Sequence, residues 1–273
     1  MLIRFIITLT LVLSTHSVQA SENLQNQESP TANVTVLPEY TFSPSNKLKS
    51  QVESTLALAK AEQKLALFVL GAQWCHDSKG LAKNFSTPQM QQVLSANYQV
   101  LFVDVGYLES GFELVKQFNQ PIYYGTPTVM VVNPNTKQLL NKLTMRKWLN
   151  AYKVPLNEYV EYFSNLTENR DLPAIKSKTM QAYLQEINHF EQQQAIRLKK
   201  AYQVVGPLLK AYMESDAKEA STEFVDKWQP VQDYRYSIQD DIKALIAQAK
   251  SNVEQGSNQA LDFPIYPDFI WEK

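Results

Sequence analysis

The sequence predicts an α/β fold of three layers, a mixed central sheet with helices on both faces, followed by an α-helical C-terminal extension. Three observations carry this. Apolar runs of strand length recur at 65–70, 98–105 and 128–132, without the polar alternation of a half-exposed strand, as expected when both faces are covered. Segments with helical spacing of apolar residues separate them, the alternation that builds layered α/β domains. After Asn169-Arg170-Asp171 strand signals fade, and Gln, Lys, Glu and Ala dominate.

Residues 1–20 read as an export signal. Arg4 gives a positive start, 5–13 is apolar apart from Thr8 and Thr10, and Val18-Gln19-Ala20 places small residues where a signal peptidase cuts. The apolar stretch is shorter than the roughly 20 residues of a membrane span, and no cysteine follows it to carry a lipid. The expectation is a periplasmic or secreted protein, cut after about Ala20 and left without a stable membrane anchor; an uncleaved anchor is the alternative. Residues 21–35 are polar and aperiodic, a flexible leader.

The chain carries 26 Lys and Arg against 27 Asp and Glu, a net charge of −1, and loss of Arg4 with the signal makes it −2. That balance offers no basic stripe for nucleic acid and no charge block for a membrane surface. The single cysteine, Cys75, excludes an internal disulfide. In an exported protein such a cysteine is buried and inert, joined to another molecule, or a free reactive thiol. Stability must then come from a core, which about 250 residues can supply.

The elements follow in order. An edge strand is expected at 34–42. Residues 43–63 read as the first helix, capped by Ser45, with Leu48, Val52, Leu56 and Leu58 or Ala59 on one face. The buried strand 65–70 follows. From Cys75 a helix runs through Leu81 and Phe85 to Val93-Leu94, kinked or interrupted by Pro88. Residues 98–105 are the second strand, and 111–119 a short helix with Phe112, Val115 and Phe118 on one side. Residues 128–132 are the third strand, Asn133-Pro134-Asn135 a turn, and 138–143 its antiparallel partner. Residues 155–166 are an amphipathic helix burying Leu156, Tyr159, Val160, Phe163 and Leu166.

These elements place one domain at 36–168 and a helical extension at 169–273. In the extension, Met180, Leu184, Ile187, Leu198, Ala201, Val205, Leu208 and Tyr212 keep a four-and-three spacing, broken at Glu191 and Gln194. This is one long helix, kinked near Gly206-Pro207. Two further helices are expected at 218–228 and 237–253. The close, 263–271, is too apolar for a loose tail and docks on a neighbouring surface. The stripes pack a helical hairpin or small bundle; a partner-binding arm is the alternative.

The chemistry gathers at two stretches, AQWCHDS at 72–78 and YGTPTVMVV at 124–132. Cys75 ends a strand and opens a helix, where free backbone amides and the helix dipole favour the thiolate, the nucleophilic form. His76 and Lys79 add positive charge and Asp77 opposes them. His76 is also a candidate acid or base near neutral pH, or an exposed filler of the motif. Tyr123 and Tyr124, close to Pro127, line a substrate groove or the rim of the core. His189 reads as structural and Asp104 as a cap or loop group. One cysteine and two histidines, far apart in the exported chain, do not make a zinc site.

Trp74-Cys75-His76-Asp77-Ser78 after a buried strand, with Gly125-Thr126-Pro127-Thr128 before a later one, resembles the thioredoxin superfamily over about residues 36–168. Among its members the sequence is most similar to exported bacterial proteins that carry Trp-Cys-His-Asp-Ser. The resemblance implies a thioredoxin-like three-layer fold, Cys75 as the attacking cysteine with Trp74 beside it, a cis bond before Pro127, and a Thr126 backbone that holds an extended substrate. The chain departs from the family pattern at three places. Ser78 stands where the resolving cysteine would be, Val69 where many members bury a carboxylate, and His76-Asp77 where Gly-Pro is common.

A hydroxyl cannot close a disulfide, so the resemblance implies a monothiol site with Cys75, Ser78 and His76 as catalytic candidates and Trp74, Thr126, Pro127 and Tyr124 as substrate-binding ones. Ser78 would hydrogen-bond the thiolate. Cys75 would form mixed disulfides with protein thiols or disulfides, resolved by glutathione or another external thiol, in isomerase- or deglutathionylase-type chemistry without a cofactor. Oxidation to a sulfenic acid is a further route. The rival is a redox-silent binding or chaperone-like module that uses the cis-Pro groove and the helical arm; a Cys75-linked dimer is a third possibility.

Overall fold

In a computed structural model, residues 39–166, 177–217 and 219–273 are described. The signal, the leader, residues 34–38 of the expected edge strand and the domain boundary at 169 lie outside them. β1 (Leu65–Gly71) is the centre of the sheet, buried from Ala66 onward. β2 (Tyr98–Asp104) pairs with it in parallel, Leu65 against Tyr98 and Gly71 against Asp104. β3 (Thr128–Val132) pairs antiparallel on the other side, Ala66 against Val132 and Leu70 against Thr128. The order is therefore β2-β1-β3.

Alternation along a strand divides the core into two. Leu67 and Val69 face a cluster with Leu81, Phe85, Leu94, Trp148, Tyr159 and Phe163. Ala66, Phe68 and Leu70 face the other cluster, with Val52, Val115 and Phe118 and with Leu198, Tyr202, Ile238 and Ile242 of the extension. This is the expected three-layer arrangement with a long helical C-terminal region. The extension contributes to the second core: its buried residues belong to the same cluster as Phe68 and Met130.

α1 (Leu48–Ala61) starts later than expected, with Lys47 in the capping position. Ser45 accepts instead from the Lys47 N–H at 3.1 Å. Residues 39–42 form no strand, although Phe42 is buried and Tyr40 stacks on Phe102 with centroids 4.7 Å apart. The helix expected after Cys75 is interrupted at Pro88, giving α2 (His76–Phe85) and α3 (Pro88–Asn97). Thr87 caps α3 through the Met90 N–H, and Pro88 occupies its first turn. Proline there removes an N–H that has no helical partner, so it starts a helix rather than bending one. α4 (Phe112–Lys116) is a short helix before the 120–127 loop.

The strand expected at 138–143 is reduced to one bridge between Val132 and Leu139. A side chain takes over. The buried Asn141 accepts from the Val131 N–H at 2.9 Å and donates to the Val129 carbonyl at 2.9 Å, standing in for the backbone of a neighbouring strand. The chain then winds through an unforeseen 3-10 segment, Met145–Lys153, kinked at Asn150, into α5 (Leu156–Asn165). Trp148 on this segment is fully buried, tilted against Tyr159 and stacked on Phe163.

α6 (Lys178–Glu214) is the long helix expected, with Pro207 inside it. α7 (Thr222–Glu254) replaces the two shorter helices expected after it and carries Pro230 in its interior. Glu191, which interrupts the apolar stripe of α6, is almost fully buried. Its carboxylate pairs with Lys142 and accepts from the Tyr124 hydroxyl at 2.8 Å. The C-terminal segment packs back on α6 and α7. Phe269 is buried, Phe190 meets Phe263, and Arg197 forks onto Glu272. Among the described residues no helix is long and apolar enough to cross a membrane.

Candidate functional site

Cys75 is the residue at which β1, after a tight turn, becomes α2. Its N–H donates to the Ala72 carbonyl at 3.1 Å and its carbonyl accepts from the Lys79 N–H at 3.1 Å. Its backbone is extended and its side chain makes no capping bond to the helix. The thiol turns across the cleft instead: Sγ donates to the Thr126 carbonyl at 3.3 Å. The Thr126–Pro127 peptide bond is cis, and the loop is pinned by the Thr128 hydroxyl donating to the Gly125 carbonyl at 2.7 Å. Cys75, Thr126 and Pro127 thus meet across the two stretches the sequence singled out. Cys75 retains 8% of its exposure.

Ser78 is fully buried, and its hydroxyl accepts from the Ala72 N–H at 3.4 Å. Gly71 leaves a gap beneath the helix, and a Cβ there would come within 2.6 Å of Ser78 Oγ and 2.5 Å of the Phe42 ring. Ser78 and Phe42 fill that gap, so Ser78 ties β1 to α2, and the partner of Cys75 is the Thr126 carbonyl.

His76 is exposed, with its ring 3.8 Å from that of Tyr152. Asp77 fixes the same contact by accepting from the Tyr152 N–H at 3.1 Å. Trp74 is anchored by its indole N–H, which donates to the Gly106 carbonyl at 2.8 Å, and lies parallel to Tyr107. Tyr124 is not in the groove. It is buried with its hydroxyl on Glu191, and burial first, then the Glu191 carboxylate, pushes its pKa well above the ordinary tyrosine value. Tyr123 is buried too, against Phe112 and Tyr202. Among the described residues no three His, Cys, Asp or Glu side chains converge as metal ligands.

Two neighbours escaped the sequence reading, Tyr107 and Arg235. Tyr107 extends the aromatic surface beyond Trp74. Asp104, read as a cap or loop group, accepts from the Gly106 N–H at 3.3 Å at the end of β2; burial raises its pKa and that hydrogen bond opposes the rise. Arg235 of α7 is buried, with Nε and Nη1 unpartnered, and it packs so near Gly125 that a Cβ there would sit 3.4 Å from its Cζ. Its spacing with Val231, Ile238 and Ile242 was a usable signal. Pro230 hid it, because it breaks the pattern that would have assigned this turn to a helix.

A family model described as thioredoxin-like matches residues 47–134. Among solved structures, the crystal structure of a disulphide isomerase from Xylella fastidiosa Temecula1 is similar at 28% identity, over 46% of this chain and 96% of that one, with a TM-score of 0.43. No curated protein matches. The sheet β2-β1-β3, the cysteine at the head of α2 and the matched family model agree: the chain carries a thioredoxin-like domain.

Proposed function

We propose that the protein is an exported monothiol thioredoxin-like protein that engages thiols and disulfides of substrate proteins through Cys75. The observation that supports it best is the hydrogen bond from Cys75 Sγ to the Thr126 carbonyl, beside Pro127. It sets the thiol against the loop whose backbone would hold an extended substrate chain. In the reaction proposed, the Cys75 thiolate attacks one sulfur of a substrate disulfide; a new S–S bond forms as the old one breaks, and the displaced sulfur leaves as a thiolate. Ser78 cannot resolve the adduct. An external thiol, glutathione or a second substrate cysteine, attacks the mixed disulfide and releases Cys75.

Mass spectrometry after incubation with oxidised glutathione or a disulfide-bonded protein tests this. The expected result is one adduct, on Cys75, reversed by reduced glutathione. An unmodified chain under conditions that modify a model thiol would refute it. The low exposure of Cys75 and the inward position of Ser78 favour a second reading, a redox-silent binding module built on the same groove. That reading fails if Cys75→Ser, with an unchanged circular dichroism spectrum, abolishes the protein's activity in cells.

A further inference from the structure

A groove of about 580 Å³ runs between the loop after β2 and one face of α6, with Tyr107, Leu108, Phe112 and Tyr202 among its lining residues. The two walls are in direct contact: a Cβ on Gly206 would lie 2.5 Å from the Tyr107 carbonyl oxygen. The groove begins where the thiol site ends, since Tyr107 lies parallel to Trp74, the residue before Cys75.

Three features of the walls select an occupant. Lys199 Nζ lies 4.9 Å over the Phe112 ring and Lys210 Nζ 6.0 Å over Tyr107. Among the described residues neither forms an ion pair, whereas seven other pairs do form. Two carboxylates beside the groove are engaged: Glu109 folds over Gly106, and Glu214 accepts from the Tyr107 hydroxyl at 3.3 Å. Pro207 has no N–H to offer the Gln203 carbonyl four residues before it. Apolar floor and two ammonium groups outside any ion pair together suit an extended chain with an apolar side chain and a carboxylate.

We propose that this groove is the substrate-reading surface of the helical extension, and that it takes a polypeptide segment bearing an acidic and an aromatic or aliphatic side chain a few residues from the cysteine presented to Cys75. This rests on the thiol reading of Cys75. Substrates would be selected by their charge through α6 and handled chemically at the head of α2.

The test uses the full chain and two peptides that differ only in a Glu-Phe or a Lys-Phe pair near a single cysteine, that cysteine activated as its mixed disulfide with nitrothiobenzoate. Attack by the Cys75 thiolate forms the protein–peptide disulfide and releases nitrothiobenzoate, which is followed by absorbance. Rates are divided by the rate with the small neutral bis(2-hydroxyethyl) disulfide. The acidic peptide should react about tenfold faster than the basic one at low salt. The ratio should fall toward one at high salt, and it should invert in the Lys199→Glu, Lys210→Glu double variant. Equal normalised rates for the two peptides, or a preference the double variant keeps, would overturn the proposal and leave the thiol chemistry standing. No adduct with any of the three disulfides would overturn the thiol reading itself, and this proposal with it.

Discussion

Glu191 joins the helical extension to the thioredoxin-like domain, and replacing it should show how much that joint contributes. Its side chain keeps 2% of its exposure and that of Lys142 15%. One carboxylate oxygen takes the Lys142 ammonium; the other takes the Tyr124 hydroxyl at 2.8 Å and the Gln120 amide at 3.5 Å. Glu191→Leu would leave the Lys142 ammonium without its counter-ion and the buried Tyr124 hydroxyl without an acceptor, while the Gln120 amide keeps the Ile122 carbonyl at 2.8 Å. Breaking a buried pair from one side costs about 3–5 kcal/mol. The unpaired hydroxyl would add about 1–3 kcal/mol in isolation, but contacts of one network are not additive, so a loss of about 3–5 kcal/mol is expected. For a unit of this size each kcal/mol moves Tm by roughly 2–4 °C, giving a fall of roughly 6–20 °C. Urea unfolding followed in parallel by far-ultraviolet circular dichroism and tryptophan fluorescence measures it. The Lys142→Met, Glu191→Leu double variant should return to within about 1–2 kcal/mol of the parent, because an apolar pair carries no desolvation penalty. A single variant within about 1 kcal/mol of the parent would refute the reasoning.

Three further outcomes follow from the same structure. Asn141→Leu leaves the Val131 N–H and the Val129 carbonyl unpaired and should cost about 2–4 kcal/mol in urea unfolding. The Glu272 carboxyl is held below the usual glutamate range by Arg197, with a smaller contribution from the Phe269 N–H; its contribution is present above the unfolded value and lost as pH falls through the folded one. Amide-exchange protection of 263–272 should therefore drop on acidification, and Glu272→Gln should remove that pH dependence. Burial pushes Tyr202 and Tyr234 up to about 12. Their raised values favour the fold below the ordinary tyrosine pKa of about 10 and lose that advantage as pH rises to about 12, so alkaline absorbance titration should show these phenols ionising together with unfolding.

The sheet was legible because β1 and β3 are covered on both faces and β2, though partly exposed, keeps the same apolar character, so each leaves a continuous apolar run. Cys75, Thr126 and Pro127 were legible because the chemistry lies in two short motifs. Pro88 interrupts the expected helix by beginning the next one, where a missing N–H is harmless. Pro230 falls in the gap left between two expected helices, where packing of Val231, Ile238 and Ile242 into the core outweighs the lost hydrogen bond. Tyr124, Glu191 and Lys142 could not be joined by reading, since 67 and 49 residues separate the two contacts of Glu191. The packing of Ser78 over Gly71 is a contact that no linear pattern records.

Asn141 has a consequence beyond stability. β3 is an outer strand of the sheet, and the outward groups of such a strand are the ones that recruit a foreign chain by adding it as a further strand. Here Asn141 occupies the Val131 N–H and the Val129 carbonyl, while the Leu140 N–H takes the Val131 carbonyl and the Asn133 N–H is spent on Gln138. One amide side chain and the segment around it close that side of the sheet. The sheet is thereby guarded against the addition of a foreign strand along β3.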